Sequence, residues 1–368
     1  MQIDGYNGSY RFSFDVNSVD CECRTALYIS VMQNECNILS YLLSITLTMD
    51  DSSRRCPFFI DVYCTKGRTP LMIAALNTNI QSINILLKHG SDVNLPLAVL
   101  DERETRAVGS GALLEATKSN SIEVVELLLS KGALDTDNRA LRYSVDKKRD
   151  NITRLLLSRL AFPDGEYRVN KRNVEVGQIQ LGQSLLPNSI CPSKGVMLNW
   201  SSCNLDSILS EWISYASLHI NNRLKTSHLS FAAITRVDLS NNKLGYFSPL
   251  LWQMSSLRIL NVSGNELTTM EPPTSHLYSS NIESLIVKDN KITNISPVLL
   301  SLLPSLSLLD ISNNDICQLP HTIWISQSLK ELQASGNNIS SLPSVYSSGR
   351  GDIDSQSISS RKTIDIPT

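Results

Sequence analysis

ITRVDLSNNKL, residues 234–244, is the stretch that decides the fold of the second half of this chain. Its pattern of aliphatic residues closed by an asparagine returns four more times, as LRILNVSGNEL, IESLIVKDNKI, LSLLDISNNDI and LKELQASGNNI. The closing asparagines are Asn242, Asn265, Asn290, Asn314 and Asn337, at steps of 23, 25, 24 and 23 residues. A unit of this length cannot bury its apolar side alone, so we expect each to supply one strand and one return, stacked on its neighbours.

This pattern resembles the leucine-rich repeat. It predicts a solenoid with parallel strands along a concave face, built from five clear units and one or two degenerate ones. The stretch LNWSSCNL, 198–205, is one degenerate unit, in which Cys203 takes the asparagine place. The gap that follows is longer than one repeat and indicates an insertion near 218–230. The asparagine amides are expected to satisfy backbone groups where the chain turns inward.

The first half carries a second repeat. Residues 67–94, GRTPLMIAALNTNIQSINILLKHGSDVN, closely resemble the ankyrin consensus, with Thr69-Pro70 opening a first helix and Gly90 ending the second in the left-handed region. The same frame recurs at Thr25, Gly111 and Arg139. Its irregular steps predict loop insertions around LTMDDSSRRCPFF and PLAVLDERETRA. About four ankyrin repeats are therefore expected, which is enough for a stable all-α stack.

These repeats divide the chain into five segments. Residues 1–19 form an N-terminal segment with a remnant repeat, Asp15-Val16-Asn17, and 20–162 carry the ankyrin repeats. A linker with a candidate short strand, VEVGQIQL, is expected over 163–194, followed by the leucine-rich repeats over 195–345. The tail, 346–368, is rich in serine and lacks an apolar period, so it is predicted to be disordered.

Composition favours a folded, intracellular protein. The net charge of −2 gives no general attraction to nucleic acid or anionic membranes. No apolar run reaches the roughly 18 residues of a membrane helix, and residues 1–14 do not resemble a secretory signal. The eight cysteines are scattered, which favours reduced thiols and a cytoplasmic location. Six Asn-x-Ser/Thr sequons, including those at Asn261 and Asn294, keep an extracellular receptor-like module open.

Signals for catalysis are poor. The five histidines and the Cys21-x-Cys23 pair lack partners at metal-ligand spacing. GSGALLEATKS, residues 109–119, faintly resembles a phosphate loop but lacks the Gly-Lys-Ser/Thr that would hold phosphate and magnesium. We therefore expect no enzyme activity and assign no catalytic, cofactor-binding or metal-binding residue.

Two surfaces are candidates for binding proteins. On the predicted concave face, side chains that alternate with the core form two exposed rows. They are Asp238, Asn261, Ile286, Asp310 and Gln333, and then Ser240, Ser263, Lys288, Ser312 and Ser335. The rows lack an aromatic stacking platform, which disfavours single-stranded nucleic acid.

The second candidate is a basic patch in the last ankyrin repeat. It consists of Arg139, Arg142, Lys147, Lys148, Arg149 and Arg154. This charge could dock an acidic partner or lipid headgroup, or it could be the polar cap that a repeat stack needs for solubility.

The order of ankyrin and then leucine-rich repeats resembles the N-terminal region of the Roco family of leucine-rich-repeat serine/threonine-protein kinases. LNWSSCNLDSIL and EWISYAS, ahead of ITRVDLSNNKL, also resemble the start of the family's leucine-rich array. The GTPase and kinase domains of that family have no counterpart here, so none of its catalytic residues transfers. The leading hypothesis is a non-catalytic protein-interaction scaffold. The alternative is the regulatory or targeting arm of a Roco GTPase–kinase, in contact with those domains.

Overall fold

The structure divides into two compact units, Met1–Ile152 and Thr153–Thr368. It is a computed structural model that describes residues 4–6, 9–11, 15–45, 47–48, 54–98, 109–163, 195–224, 231–270, 281–341 and 363–365. Each unit is considered separately below.

The first unit is built from helix pairs of ankyrin type. In chain order they are α1 (Ala26–Met32) with α2 (Cys36–Ser44), α3 (Pro70–Leu76) with α4 (Ile80–Lys88), α5 (Gly111–Ser119) with α6 (Ile122–Ser130), and α7 (Arg139–Asp146) with α8 (Asp150–Ser158). Two short antiparallel hairpins join β1 (Asp4–Tyr6) to β2 (Ser9–Arg11) and β3 (Leu47–Thr48) to β4 (Arg54–Arg55). The second hairpin lies within one of the predicted insertions. The division between the units falls within α8.

Polar residues begin the first helices where the repeat frame predicts. The hydroxyl of Thr25 accepts a hydrogen bond from Tyr28 N, and those of Thr69 and Ser110 make the equivalent bonds. Each satisfies a backbone N–H that the first turn of a helix leaves without a partner. Gly90, after α4, has φ +91° and occupies the predicted left-handed position. Inside the unit, Leu27, Leu71, Leu113 and Leu141 are buried at corresponding places.

The remnant Asp15-Val16-Asn17 makes the contacts of a complete repeat. Asn17 Nδ2 donates to Pro57 O at 2.9 Å, and its Oδ1 accepts from Phe59 N at 2.8 Å. Asn94, in the Asp-Val-Asn after α4, bonds to the backbone of the following repeat in the same way, at 3.0 and 2.9 Å. Asn17 therefore links successive repeats as Asn94 does.

The second unit contains an eight-stranded sheet in the order β12-β11-β10-β9-β8-β7-β6-β5. Its strands are β5 (Ala161–Pro163), β6 (Val196–Asn199), β7 (Ile234–Asp238), β8 (Ile259–Asn261), β9 (Ser284–Ile286), β10 (Leu308–Asp310), β11 (Glu331–Gln333) and β12 (Thr363–Asp365). Strand β5 pairs antiparallel with β6, and all other pairs are parallel. The returns contain α9 (Ser210–Leu224), α10 (Pro249–Trp252), α11 (Leu299–Leu302) and α12 (Thr322–Ile325).

The long first return holds a helix. Where an insertion was predicted near 218–230, α9 begins at Ser210 and buries Trp212, Ile213 and Ile220. The described part of the predicted insertion, 218–224, therefore continues this helix and contacts the core through Ile220. Residues 225–230, the insertion at 99–107 and the candidate strand VEVGQIQL lie outside the described residues.

Strands also lie at both ends of the leucine-rich region. Ala161–Pro163 pair with β6, so the residues just before the predicted linker are held by the sheet. Thr363–Asp365, in the tail for which no regular structure was predicted, pair with β11 through Ile364 and Leu332. The prediction for the tail rested on its Ser-rich composition. Composition cannot show that three of its residues pair with β11.

The closing asparagines form a ladder between successive units. Asn290 Nδ2 donates to Val287 O in its own unit at 2.9 Å and to Val262 O in the preceding unit at 3.1 Å, while its Oδ1 accepts from Leu267 N at 3.1 Å. Asn242, Asn265, Asn314 and Asn337 repeat the arrangement. The expected role of the asparagine amides is thus observed: they satisfy backbone groups inside the turn.

Cys203 occupies the asparagine place in the degenerate unit. Its Sγ donates to Ser201 O at 3.2 Å, as the Asn242 amide donates to Ser240 O at 3.3 Å. The thiol reproduces one donor of the ladder and is fully buried.

Glycine is needed immediately before some of these asparagines. Gly264 has φ +64°, and a Cβ there would lie 2.5 Å from Asn241 Oδ1. We expect Gly264→Ala to lower the free energy of unfolding by about 1–2 kcal/mol, because alanine is strained in the left-handed region. Gly245→Ala is the matched control, since its Cβ would meet nothing within 4 Å and its φ is not in that region. Urea denaturation of both variants measures the difference, and equal losses would contradict the strain argument.

Candidate functional site

The outward-facing side chains of the leucine-rich strands form the candidate site, which we term the open face. The middle residues of the strands, Val237, Leu260, Leu285, Leu309 and Leu332, are buried, and residues on either side of them face outward. The strand register aligns one predicted row, Asp238, Asn261, Ile286, Asp310 and Gln333. The other predicted row, Ser240, Ser263, Lys288, Ser312 and Ser335, follows two residues later in each unit. The ten predicted residues therefore lie in two rows that run across the same strands.

The prediction missed a further row on the same surface. It comprises Met197, Arg236, Ile259, Ser284, Leu308 and Glu331, aligned by the same register. The sequence could have predicted this row. Side chains alternate along a strand, so the residue two positions before each member of the Asp238 row should face the same way. This row contributes most of the apolar surface of the open face.

Three residues predicted as exposed are buried. Asp310, Ser240 and Ser312 are 8%, 8% and 5% exposed, so the expectation of two fully exposed rows is wrong at these positions. Local hydrogen bonds explain this, because a carboxylate or amide oxygen accepts from the serine two residues later.

This turn, in which a serine bonds to the side-chain oxygen two residues before it, recurs along the sheet. Ser240 N and Oγ donate to Asp238 Oδ1 at 3.0 and 2.7 Å, Ser263 makes the same pair of bonds to Asn261, and Ser312 N donates to Asp310 Oδ1 at 3.0 Å. Much of the acidic and serine content of the open face therefore has a structural role.

The middle of the open face is apolar. Ile259, Ser284 and Leu308 are direct neighbours across β8, β9 and β10, and Ile286 follows Ser284 by two residues on β9. All four side chains are half-buried. Neighbouring strands lie about 4.8 Å apart, so Ile259 and Leu308 stand about 10 Å apart with the small serine between them. From this arrangement we infer a shallow depression, with the small Ser284 as its floor and three aliphatic side chains around it.

Charged groups around the depression differ in their bonding. Asp238 and Asp310 accept from serines, and Glu331 Oε1 accepts from Gln333 Nε2 at 2.6 Å. Lys288 is half-buried, and its Nζ has no hydrogen-bond or ion-pair partner among the described residues. Each of these acids thus accepts hydrogen bonds on one oxygen within its own repeat, whereas no described residue bonds to Lys288 Nζ.

The predicted basic patch is not a single free surface. Arg139 Nε lies 3.0 Å from Asp137 Oδ2, and one terminal nitrogen of Arg149 donates to Thr117 O. In the second unit, the guanidinium of Arg154 lies over the Tyr215 ring, 4.8 Å from its centroid. Arg142, Lys147 and Lys148 are exposed. Arg142 also interacts within the chain, so at least four of the six predicted cations have intramolecular roles.

A half-buried acid, Asp135, stands beside this basic segment. Asp135 accepts from Ala140 N at 3.1 Å and Leu141 N at 2.8 Å, which satisfies the first turn of α7. Burial nevertheless raises the pKa of Asp135 to about 6. Its negative charge is consequently partial just above pH 6 and lost below it, so it balances the basic segment less in acid.

The other features that the sequence offered for chemistry are the phosphate-loop-like segment, the metal-ligand types and the cysteines. Gly111, in the loop-like GSGALLEATKS, begins α5, and a Cβ there would lie 2.5 Å from Met72 Cε. Among the described residues, no three His, Cys, Asp or Glu side chains are placed to share a metal ion. The seven cysteines that the structure describes are free thiols. Within the same part of the chain, no helix is long and apolar enough to cross a membrane.

Comparisons with known families agree with both repeat types. The family model described as ankyrin repeats (3 copies) matches residues 7–96, and leucine-rich-repeat models match 256–276 and 280–339. With the helix pairs and the parallel sheet, these matches define the chain as an ankyrin and leucine-rich-repeat protein.

One relative matches most of the chain. Leucine-rich repeat serine/threonine-protein kinase 1 of Caenorhabditis elegans is 49% identical over 321 residues, which cover 86% of this chain and 13% of that kinase. The resemblance to the ankyrin and leucine-rich-repeat region of the Roco kinases is therefore confirmed. The chain spans only about an eighth of the length of that relative.

Other similarities cover one repeat type each. Leucine-rich repeats and immunoglobulin-like domains protein 3 of Homo sapiens is 33% identical over 114 residues, 31% of this chain and 10% of that protein. Among solved structures, the ankyrin repeat domain of Bcl-3 matches with a TM-score of 0.31 and 21% identity, over 39% of this chain and 59% of that domain.

Proposed function

We propose that this chain is a non-catalytic protein-interaction region whose principal binding surface is the open face. In this proposal the ankyrin and leucine-rich repeats each form a solenoid, and the open face is concave. One observation supports the assignment: the half-buried Ile259, Ile286 and Leu308 stand around Ser284 within a mostly polar surface. Protein interfaces commonly combine an apolar centre with a polar rim, and solenoids commonly bind through such strand-lined faces.

We further propose that the region is the regulatory or targeting arm of a Roco-type GTPase–kinase. The 49% identity across both repeat types supports this over a stand-alone scaffold. Kinase activity belongs to the relative, and the repeats would place or regulate it. The full transcript distinguishes the regulatory arm from the stand-alone scaffold. Only the regulatory arm requires a downstream reading frame that encodes a GxxxxGK[ST] phosphate loop.

A cytoplasmic location is part of the proposal. The Asn261 side chain accepts from Ser263 N and Oγ, so a glycan at that sequon would disturb the turn it forms. Mass spectrometry that found occupied Asn261 or Asn294 in the native protein would instead favour the extracellular alternative. The segment limits at 163–194 and 346–368 likewise remain proposals, which limited proteolysis tests by the position of the first cuts.

The binding experiment uses one substitution that fills the depression. Ser284→Trp places a large ring among Ile259, Ile286 and Leu308 and leaves the buried strand residues unchanged. Affinity capture followed by quantitative mass spectrometry is expected to lose partners at least about 10-fold, since a central apolar contact commonly contributes over 1.4 kcal/mol. Ser305→Trp, at an exposed serine outside the strands, is the matched control and should retain them.

Two results would contradict the proposal. One is an unchanged partner set for Ser284→Trp together with loss on charge reversal of Lys147 and Lys148, which would move binding to the ankyrin repeats. The other is ATP or GTP hydrolysis by the purified chain that a point substitution within it abolishes.

A further inference from the structure

We infer that the occupant of the open face is an extended acidic peptide. Its motif is a bulky apolar residue with an aspartate or glutamate two or four residues further along. This inference rests on the proposed function and specifies the chemistry of the partner. It is carried by the depression around Ser284 and by the bonding state of Lys288.

The depression accepts one large apolar side chain. Ile259 and Leu308 are separated by two strand spacings, about 10 Å, which leaves room for an aliphatic or aromatic group above the Ser284 floor. Ile286 closes one end of the depression on the same strand. Burying such a side chain removes apolar surface of both molecules from water, which is the main favourable contribution to association.

The adjacent charge selects an acid. Lys288 lies two residues beyond Ile286 and is half-buried without an intramolecular partner among the described residues. Glu331, the half-buried acid of the neighbouring row, already accepts from Gln333 Nε2, and Asp310 is 8% exposed. A ligand carboxylate would therefore gain a new partner at Lys288.

The spacing follows from strand geometry. From Ser284 to Lys288 along β9 is four residues, about 13 Å, and from Ile286 to Lys288 is about 7 Å. In an extended peptide, residues i, i+2 and i+4 point to one side with the same rise. A peptide that lies along β9 can therefore place its apolar group in the depression and a carboxylate two or four residues on beside Lys288.

A defined peptide set tests the motif. Fluorescent nine-residue Gly-Ser peptides carry Leu or Phe at position 3 and Glu, Lys or Ser at position 5 or 7. Binding to the full chain is measured by fluorescence polarisation. We expect the best Glu peptide to bind about 5-fold more tightly than its Lys counterpart, which is the upper range for a partly exposed ion pair.

Substitutions then locate the preference. Lys288→Glu should reverse it in favour of the Lys peptide, and Ser284→Trp should remove binding of both. Lys243→Glu makes the same charge change at an exposed residue outside the open face and should leave the preference intact. Thermal unfolding shows that each variant is folded.

The outcomes separate this inference from the proposed function. Equal binding of Glu and Lys peptides, or a preference that Lys288→Glu leaves unchanged, overturns the acidic motif. If no peptide binds while Ser284→Trp still removes the captured partners, the acidic motif is wrong and the open face remains the interaction surface. Tight binding of the Lys peptides would assign a basic partner instead. A concentration-dependent dimer lost in Ser284→Trp would assign a second copy of the chain.

Discussion

Asn290→Ala is expected to lower the free energy of unfolding of the leucine-rich unit by about 3–4 kcal/mol, because four hydrogen bonds of one buried amide are lost at once and Leu267 N loses its acceptor. Asn290 donates to Val262 O, Val287 O and Lys288 O and accepts from Leu267 N, all within 2.9–3.1 Å. The residue is 8% exposed, so water cannot easily replace these bonds. Urea denaturation followed by far-ultraviolet circular dichroism measures the loss.

The same repeat provides a control for this prediction. Asn294 is exposed and lies four residues after Asn290 in the same return. Asn294→Ala should change the unfolding free energy by no more than about 0.5 kcal/mol, as is usual for surface substitutions. If the two variants differ by less than about 1 kcal/mol, the ladder has adjusted around the missing amide and each asparagine contributes little alone.

The repeats could be predicted from the sequence because their determinants are local and periodic. Each unit carries its aliphatic spacing and its asparagine within eleven residues, and Thr69-Pro70 and Gly90 mark helix limits through their own backbone preferences. Strand β12 and the start of α9 escaped prediction for the opposite reason. A strand of three residues, or the first turn of an amphipathic helix, is too short for its sequence to identify it. Its structure depends on contacts with residues that are distant in the chain.

The candidate site was predictable in position but not in character. Counting back from the asparagines places Ile286 and Lys288 on the same side of the sheet, because side chains alternate along a strand. The same count makes Asp310 appear exposed, since it cannot show that Ser312 N donates to its carboxylate. The depression at Ser284 depends on strand register as well. Only that register shows that a serine in one repeat stands between Ile259 and Leu308 of its neighbours.

The basic patch shows a different limit of sequence reasoning. The sequence shows correctly how many Lys and Arg residues α7 and α8 contain. It cannot show which of them already have partners within the chain. Arg149 donates to Thr117 O, and Arg154 stacks on Tyr215, about 60 residues away in the chain. A cluster of Lys and Arg residues in the sequence is therefore not enough to identify a docking surface. The structure is needed to show which cations lack an intramolecular partner.

Trp200→Ala is expected to destabilise the second unit by about 4 kcal/mol, within the range for removing a buried tryptophan from a core. Trp200 is 1% exposed, follows β6 and donates from Nε1 to Leu157 O at 3.2 Å. Its backbone N donates to Asp238 O at 2.8 Å. The side chain thus connects α8 to the first parallel strand, which explains why the second unit begins within α8 rather than after the predicted linker.

Phenylalanine substitutions separate the hydrogen bond from the packing. Trp252 is equally buried, but its Nε1 has no hydrogen-bond partner among the described residues. Both Trp→Phe changes lose similar volume, but only Trp200→Phe removes a hydrogen bond; Leu157 O then keeps Leu160 N as its donor. We expect Trp200→Phe to cost about 0.5–1.5 kcal/mol more than Trp252→Phe, the usual net contribution of one hydrogen bond. Equal melting temperatures for the two variants would show instead that volume alone accounts for the contribution of Trp200 at the edge of the sheet.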